Sequence, residues 1–274
     1  MPRRIATTLA ALVLLAPLPA RAAEDPAALF RAVGMPEIIE VMREEGLGYG
    51  ETIRTDLLGG RGGAGWAATV SDIYDAGRMT DQMLEGFESR LEGVDLDPLF
   101  AFFGSERGRR IVELEVSARR ALLDEDIEAA AEAAAATLAE DRPDRHALIG
   151  EFVEVNDLVE SNVMGAMNAN YAFFMGLMAG EAFGDDLSEQ EILSDVWSQE
   201  GEIRADTEEW VYAYLTLAYD HLSDEDIAEY IAISRTAEGR ALNRALFGAF
   251  DDLFVDISRR LGQGAAGFIA GEEL

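Results

Sequence analysis

The chain has two histidines, His146 and His221, and no cysteine. A metal site would need both histidines to converge with carboxylates, and no His-x-x-x-His spacing exists. Each therefore reads as a helix-end or surface residue. Zero cysteines remove disulfides, thiol catalysis and cysteine-ligated zinc. Hard oxygen ligands are abundant, with runs at Asp124-Glu125-Asp126, Asp185-Asp186 and Asp224-Glu225-Asp226. None follows the spaced-ligand calcium loop with its turn glycine, so these acids suit weak calcium association and not a dedicated site. All three lie at or near expected helix starts, where acids favour the dipole, or on solvated faces. No carboxylate pair stands out for hydrolysis. The nucleophile pattern Gly-x-Ser-x-Gly is absent, because Gly104-Ser105-Glu106-Arg107-Gly108 has the wrong spacing. Gly60, Gly62 and Gly65 formally satisfy the dinucleotide fingerprint, but no Val/Ile-rich strand precedes them. They read as a flexible surface loop. No catalytic, cofactor-binding or metal-binding residue is assigned.

Net charge narrows the partners further. At −31, the chain repels nucleic acid and anionic headgroups, because phosphate binding needs clustered cations. With 49% hydrophobic residues the chain is rich enough in apolar side chains to fold despite its charge. The start reads as an export signal. Arg3 and Arg4 precede an uncharged run over 5–20, broken by Pro17 and Pro19, and Ala20-Arg21-Ala22 forms a small-x-small cleavage site. Residues 1–22 are expected to be removed, leaving a periplasmic or secreted protein whose first residue is Ala23.

Helical periodicity dominates the remainder, and no segment reads as a strand. Residues 222–261 are the clearest example. Ser223 and Asp226 form a capping box, Thr236 restarts the helix, and Gly239 sits in its first turn. Leu242, Leu246, Ala249, Phe250, Leu253, Ile257 and Leu261 then fall on one face, with Gly262 as the expected C-cap. The same corner occurs 131 residues earlier, where Ser105 and Gly108 stand at the positions of Thr236 and Gly239. At that offset Leu91 matches Leu222, Asp95 matches Asp226 and Trp66 matches Trp197. A shared period of this length predicts an internal duplication. A Ser or Thr cap, with glycine three residues on, would let another helix approach closely.

The first corner reads Phe102-Phe103-Gly104-Ser105-Glu106-Arg107-Gly108-Arg109. This aromatic-aromatic-x-Ser-x-x-Gly-Arg string resembles the signature of the domain-of-unknown-function 2059 family. The resemblance is clearest over 222–254 and next best over 91–120. The second corner departs by carrying Ile233-Ser234 in place of the aromatic pair. Where the family often has proline just after the capping residue, Glu106 and Ala237 stand here. The resemblance implies a small, mostly helical, secreted bacterial domain with no established activity, and it transfers no catalytic residue.

The expected architecture is all-α: two related antiparallel helical-bundle domains over 23–140 and 146–262. A linker at 141–145 joins them, and a loose tail covers 263–274. Helices over 26–42 are expected to be interrupted by the glycines at 46, 48 and 50. The helix after Gly108 is expected to run on through the alanine-rich 129–139. The charge-free stretch 161–180 reads as a buried central helix and not as a membrane span, given its glycines and three asparagines. Met164, Met167 and Tyr171 are expected in the core. Met175, Met178 and Phe183 are expected to border a groove, because Gly176 and Gly180 would let another segment approach. The functional expectation is a non-enzymatic binding module of the cell envelope whose partner is another envelope protein or a second copy. The alternatives are a helical hydrolase acting on an envelope polymer through a Glu/Asp acid–base pair, and an acidic, calcium-responsive structural module.

Overall fold

The computed structural model describes residues 25–182, 188–269 and 271. The expected signal segment, residues 1–22, and Phe183 lie outside these residues. Within them are thirteen helices and no strand. The first half of the chain supplies α1 (Pro26–Ala32), α2 (Met35–Asp56), α3 (Gly63–Ile73), α4 (Ala76–Arg90), α5 (Asp97–Phe103), α6 (Glu106–Ala121) and α7 (Glu125–Asp141). The second supplies α8 (Pro143–Val155), α9 (Leu158–Ala179), α10 (Glu189–Ser198), α11 (Glu200–Tyr219), α12 (Asp224–Ser234) and α13 (Ala237–Ile269).

The last helix is the spine. It contains no proline, and Ala245, Ala249, Leu253, Ile257, Leu261 and Ala265 repeat along a buried stripe. At ~1.5 Å per residue its 33 residues span about 50 Å. Gly262 therefore does not cap it, and residues 263–269 are helix with Ala265, Ala266 and Phe268 buried, not a loose tail. Two neighbours run along this spine. On one side α9 lies parallel to it, with Asn168 bonding Asp251 at 2.9 Å and Gly180 lying against Ala266. On the other, α4 and α3 lie antiparallel, with Arg90 paired to Asp252 at 2.7 Å, Arg260 to Asp72 at 2.9 Å, and Trp66 edge-on to Phe268.

The α9–α13 approach depends on glycine. A Cβ on Gly176 would strike the carbonyl of Arg259, and one on Gly262 would strike the carbonyl of Phe173. The space expected to form a groove beside Gly176 and Gly180 is thus filled by the chain's own last helix. Glycine works similarly on α2, which runs unbroken through Gly46 and Gly50. Those two positions are flat because the ring of Tyr74 and the side chain of Val70 occupy the space. The Trp66 indole donates to the Gly50 carbonyl at 2.7 Å.

Both corners have one geometry. Ser105 Oγ accepts from the Gly108 amide at 3.0 Å and donates to the Phe102 carbonyl at 2.6 Å. Thr236 Oγ1 accepts from Gly239 at 2.9 Å and donates to Ile233 at 2.8 Å. A side chain on Gly108 or Gly239 would meet the carbonyl of Phe102 or Ile233. The close approach is thus to the end of the preceding helix within each corner. The wider packing also recurs: α6 lies parallel to α2 and antiparallel to α11, as α13 lies parallel to α9 and antiparallel to α4.

The two halves differ in three ways. Trp66 is buried, at 1% exposure, whereas Trp197 is 57% exposed, so the two tryptophans do not share an environment. The reason is register: the chain breaks at Gln199, just after Trp197, but at Tyr74 in the first half, well past Trp66. The helix after Gly108 does not continue through the alanines. It stops at Ala121, and Asp124 caps α7, which doubles back along α11 and reaches Asp220 through Arg142. The expected linker is a single turn residue, Arg142, followed by α8. Arg145 is buried there, bonded to the carbonyls of Tyr219 and Leu222 and paired with Asp224 at 2.9 Å.

Neither of the two large cores is closed by one half alone. The largest apolar cluster joins Phe30, Met83 and Phe87 to Leu253, Ile257 and Leu261, and the second joins Ile111 and Ala118 to Val211, Leu215 and Tyr219. Each half therefore supplies the helix that completes the other's core. Replacing Gly108, Gly239 or Gly262 with leucine is expected to lower stability by about 1–3 kcal/mol through overpacking. Denaturant midpoints within error of wild type for all three would contradict the close contacts.

Candidate functional site

The most distinctive chemistry lies between α6 and α11. On α6 the apolar positions Ile111, Leu114 and Ala118 turn toward α11, and Glu115 falls among them. Its Oε1 accepts from the Tyr219 hydroxyl at 2.7 Å, while Tyr214 donates to its backbone carbonyl at 3.3 Å. Tyr219 is fully buried and lies edge-on to Phe152, which in turn packs on Tyr230. Burial raises the Glu115 carboxyl from an ordinary 4.5 to about 7, against the opposing effect of the Tyr219 hydrogen bond. Burial, and then the nearby Glu115 carboxyl, also push Tyr214, Tyr219 and Tyr230 well above the usual phenol range.

One turn further along α6, Arg119 bridges three helices. It pairs with Glu45 of α2, with Nη2 2.6 Å from Oε2, and lies 4.9 Å over the Trp210 ring of α11. Trp210 stacks on Tyr214 at 5.3 Å. Burial raises the Glu45 carboxyl, an effect that Arg119 opposes. This belt can hold a proton near neutral pH, and it ties α2, α6 and α11 together.

An open cleft lies elsewhere. About 640 Å³ opens beside the α4–α5 turn, lined by Glu85, Glu88, Glu92, Asp95 and Asp97 among others. Neither Glu45 nor Glu115 lines it. The raised acids and the open cleft are thus separate features, whereas an acid–base hydrolase needs them together. A void of about 50 Å³ lies where the two corners meet, bordered by Asn156, Tyr230, Ser234 and Asn243. Asn243 donates to the Asn156 carbonyl beside it at 2.6 Å.

The residues singled out from sequence divide between the two facing corners and α9. Ser105, Gly108, Thr236 and Gly239 build the corners described above. Met175 and Met178 are half-buried against the small cluster of Val163, Met167, Ile192 and Val196. Of the methionines expected inside, Met167 is buried but Met164 is 42% exposed, and Tyr171 sends its hydroxyl to Glu189 at 2.6 Å. His146 stacks on Tyr212, and His221 is exposed beside Asp220. The acids at 124 and 226 are occupied as caps: Asp124 accepts from the amides of Asp126 and Ile127, and Asp226 from Ser223. Among the described residues no group of three potential ligands could hold a metal ion. The glycine-rich turn after α2 is anchored, with Leu58 fully buried and Arg54 bonding the Gly60 carbonyl at 2.7 Å. Glu115 escaped the sequence reading because one glutamate among 53 acids is no signal. Its place on the Ile111–Ala118 stripe, opposite a tyrosine-rich helix, was the available clue.

Residues 77–137 match the model of DUF2059, described as an uncharacterized protein conserved in bacteria. The match runs from α4 into α7 and includes the first corner and Glu115. The region 222–254, where the resemblance was expected to be clearest, lies outside it. No curated protein and no solved structure matches the chain.

Glu115 has a signed consequence for pH. Its folded value lies above its unfolded one, so between about pH 4.5 and 7 the folded state holds a proton that the unfolded state has lost. The resulting stability is present below that window and lost as pH rises through it. Glu115→Gln should therefore remove a downward slope on the order of 1–3 kcal/mol, measured as the wild-type minus variant difference in unfolding free energy between about pH 5 and 8. Parallel pH profiles for the two proteins would show that the carboxyl titrates normally.

Proposed function

We propose that the chain is an exported protein of the cell envelope that works by binding and not by catalysis, and that it consists of two diverged copies of one helical unit. Export is supported by the positive start, the uncharged 5–20 run and the Ala20-Arg21-Ala22 site. Among the described residues no helix is long and apolar enough to cross a membrane, and α9, which carries most of the charge-free stretch 161–180, is packed along α13. Duplication is supported by the twin corners and by the recurring parallel and antiparallel packing of α6 and α13. The proposed copies cover 23–140 and 146–262, with the end of α13 an addition to the second.

The observation that carries the binding reading is the outer face of α10. This helix buries only Ile192 and Val196, while Leu193 and Trp197, one turn apart, are 45% and 57% exposed. A solvent-facing tryptophan beside a leucine marks an interaction surface more readily than an active site. Two measurements test the proposal. The intact mass of protein recovered from the cell envelope should correspond to a chain starting at Ala23, and retention of residues 1–22 would contradict export. Leu193→Gln/Trp197→Gln should keep the wild-type melting temperature and lose most binding of a hydrophobic dye. Unchanged dye binding would remove α10 as the binding face.

A further inference from the structure

The two halves treat equivalent helices differently, and the difference exposes a surface. In the first half α3 lies between α2 and the end of α13. That end covers α3 by placing Gly264 against Trp66 and Thr69 and Phe268 edge-on to Trp66 at 5.7 Å. In the second half α10 packs on α9, as α3 packs on α2. The segment that would run on over α10 is α7, but the break at Leu122–Asp124 folds α7 back along α11 and α8. Leu193 and Trp197 are left on an outer face that no helix covers among the described residues.

Charge around that face selects the occupant. From Ser188 to Ile203 the chain carries Glu189, Glu191, Asp195, Glu200 and Glu202 and no basic residue. The first cation, Arg204, is already paired with Glu160 and Glu200 at 2.8 and 2.7 Å. A second copy of this chain would bring the same large negative charge, and the end of its α13 is occupied on its own α3. We infer that the outer face of α10 is a docking site for a cationic amphipathic helix of another protein, which would cover Leu193 and Trp197 as the end of α13 covers α3. The proposal rests on the binding reading above and adds the chemistry of the partner. An apolar stripe supplies the anchor to Trp197, and flanking lysines or arginines meet Glu189, one turn before Leu193 on the same stripe, and the acids that open α11.

The test uses the full chain without residues 1–22 and three labelled synthetic helical peptides. One has a leucine face and a lysine face, the second has the same leucines with glutamates, and the third is a scramble of the first. Fluorescence anisotropy should show binding of the lysine peptide only, weakening as salt rises, with a blue shift of the protein's tryptophan emission. Leu193→Gln/Trp197→Gln should weaken binding at least tenfold. Glu189→Arg, which lies one turn before Leu193 on the same stripe and leaves the apolar pair intact, should also weaken it and flatten the salt dependence. Equal binding of the scramble or of the glutamate peptide, or full affinity in both variants, would overturn the proposal. So would dimerisation of the protein alone that the glutamine variant abolishes, since a second copy would then occupy the face. If dye binding at α10 is confirmed but the lysine peptide does not bind, the partner chemistry fails while the binding reading stands.

Discussion

The contact between α9 and α13 is made by backbone against backbone. Gly176 meets the turn around Arg259 and Gln263, and Gly262 meets the turn around Phe173 and Leu177. Without Cβ atoms the two helices approach closely over a long parallel run. Bringing α13 this close also fixes where its other face goes. Ala249 and Gly248 then lie against α4, with Arg90 and Asp252 closing the edge. Small residues on both faces thus let one helix serve as the shared wall of two layers. A larger side chain at either glycine would move α13 outward and open the apolar cluster that holds Phe30, Met83 and Phe87.

Exchange of helices between the halves follows from this arrangement. The first half presents α4 and α3 to α13, and the second presents α11 to α6 and α7. At the centre the two corners face one another, where Phe102 stacks on Tyr230 at 5.4 Å and Arg107 reaches Asp226 at 2.6 Å. Asp226 is at once the capping acid of α12 and the partner of an arginine from the opposite corner, so its carboxyl is held below the usual range, first by Ser223 and then by Arg107. A chain without disulfides and with a large negative charge gains from such interlocking, because the core that resists self-repulsion is shared across its whole length.

Local features were legible in the sequence, and long-range ones were not. The Ser105 and Thr236 caps, the Ser223–Asp226 capping box and the glycine three residues into each helix follow from rules that act over a few residues. The all-helical class followed from periodicity. The extent of α13 did not, because Gly262 is equally good as a helix terminator and as a contact point for another helix, and only the presence of α9 decides between them. Gly46 and Gly50 posed the same ambiguity on α2, resolved by Tyr74 and Val70. The tryptophan pairing failed because an offset in number ignores where the helices break. Glu115 became visible only when α6 was placed on α11, since its chemistry comes from burial against Tyr219 and not from any neighbour in sequence.

The central claim is that each half's core is completed by the other's helix, so that the two cannot unfold independently. Native-state hydrogen exchange, followed by mass spectrometry through increasing denaturant, tests this directly. Peptides from α4, α9, α11 and α13 should converge on one opening free energy equal to that of global unfolding. Two separate levels, one shared by α1–α6 and another by α8–α13, would show two self-sufficient domains and contradict the account.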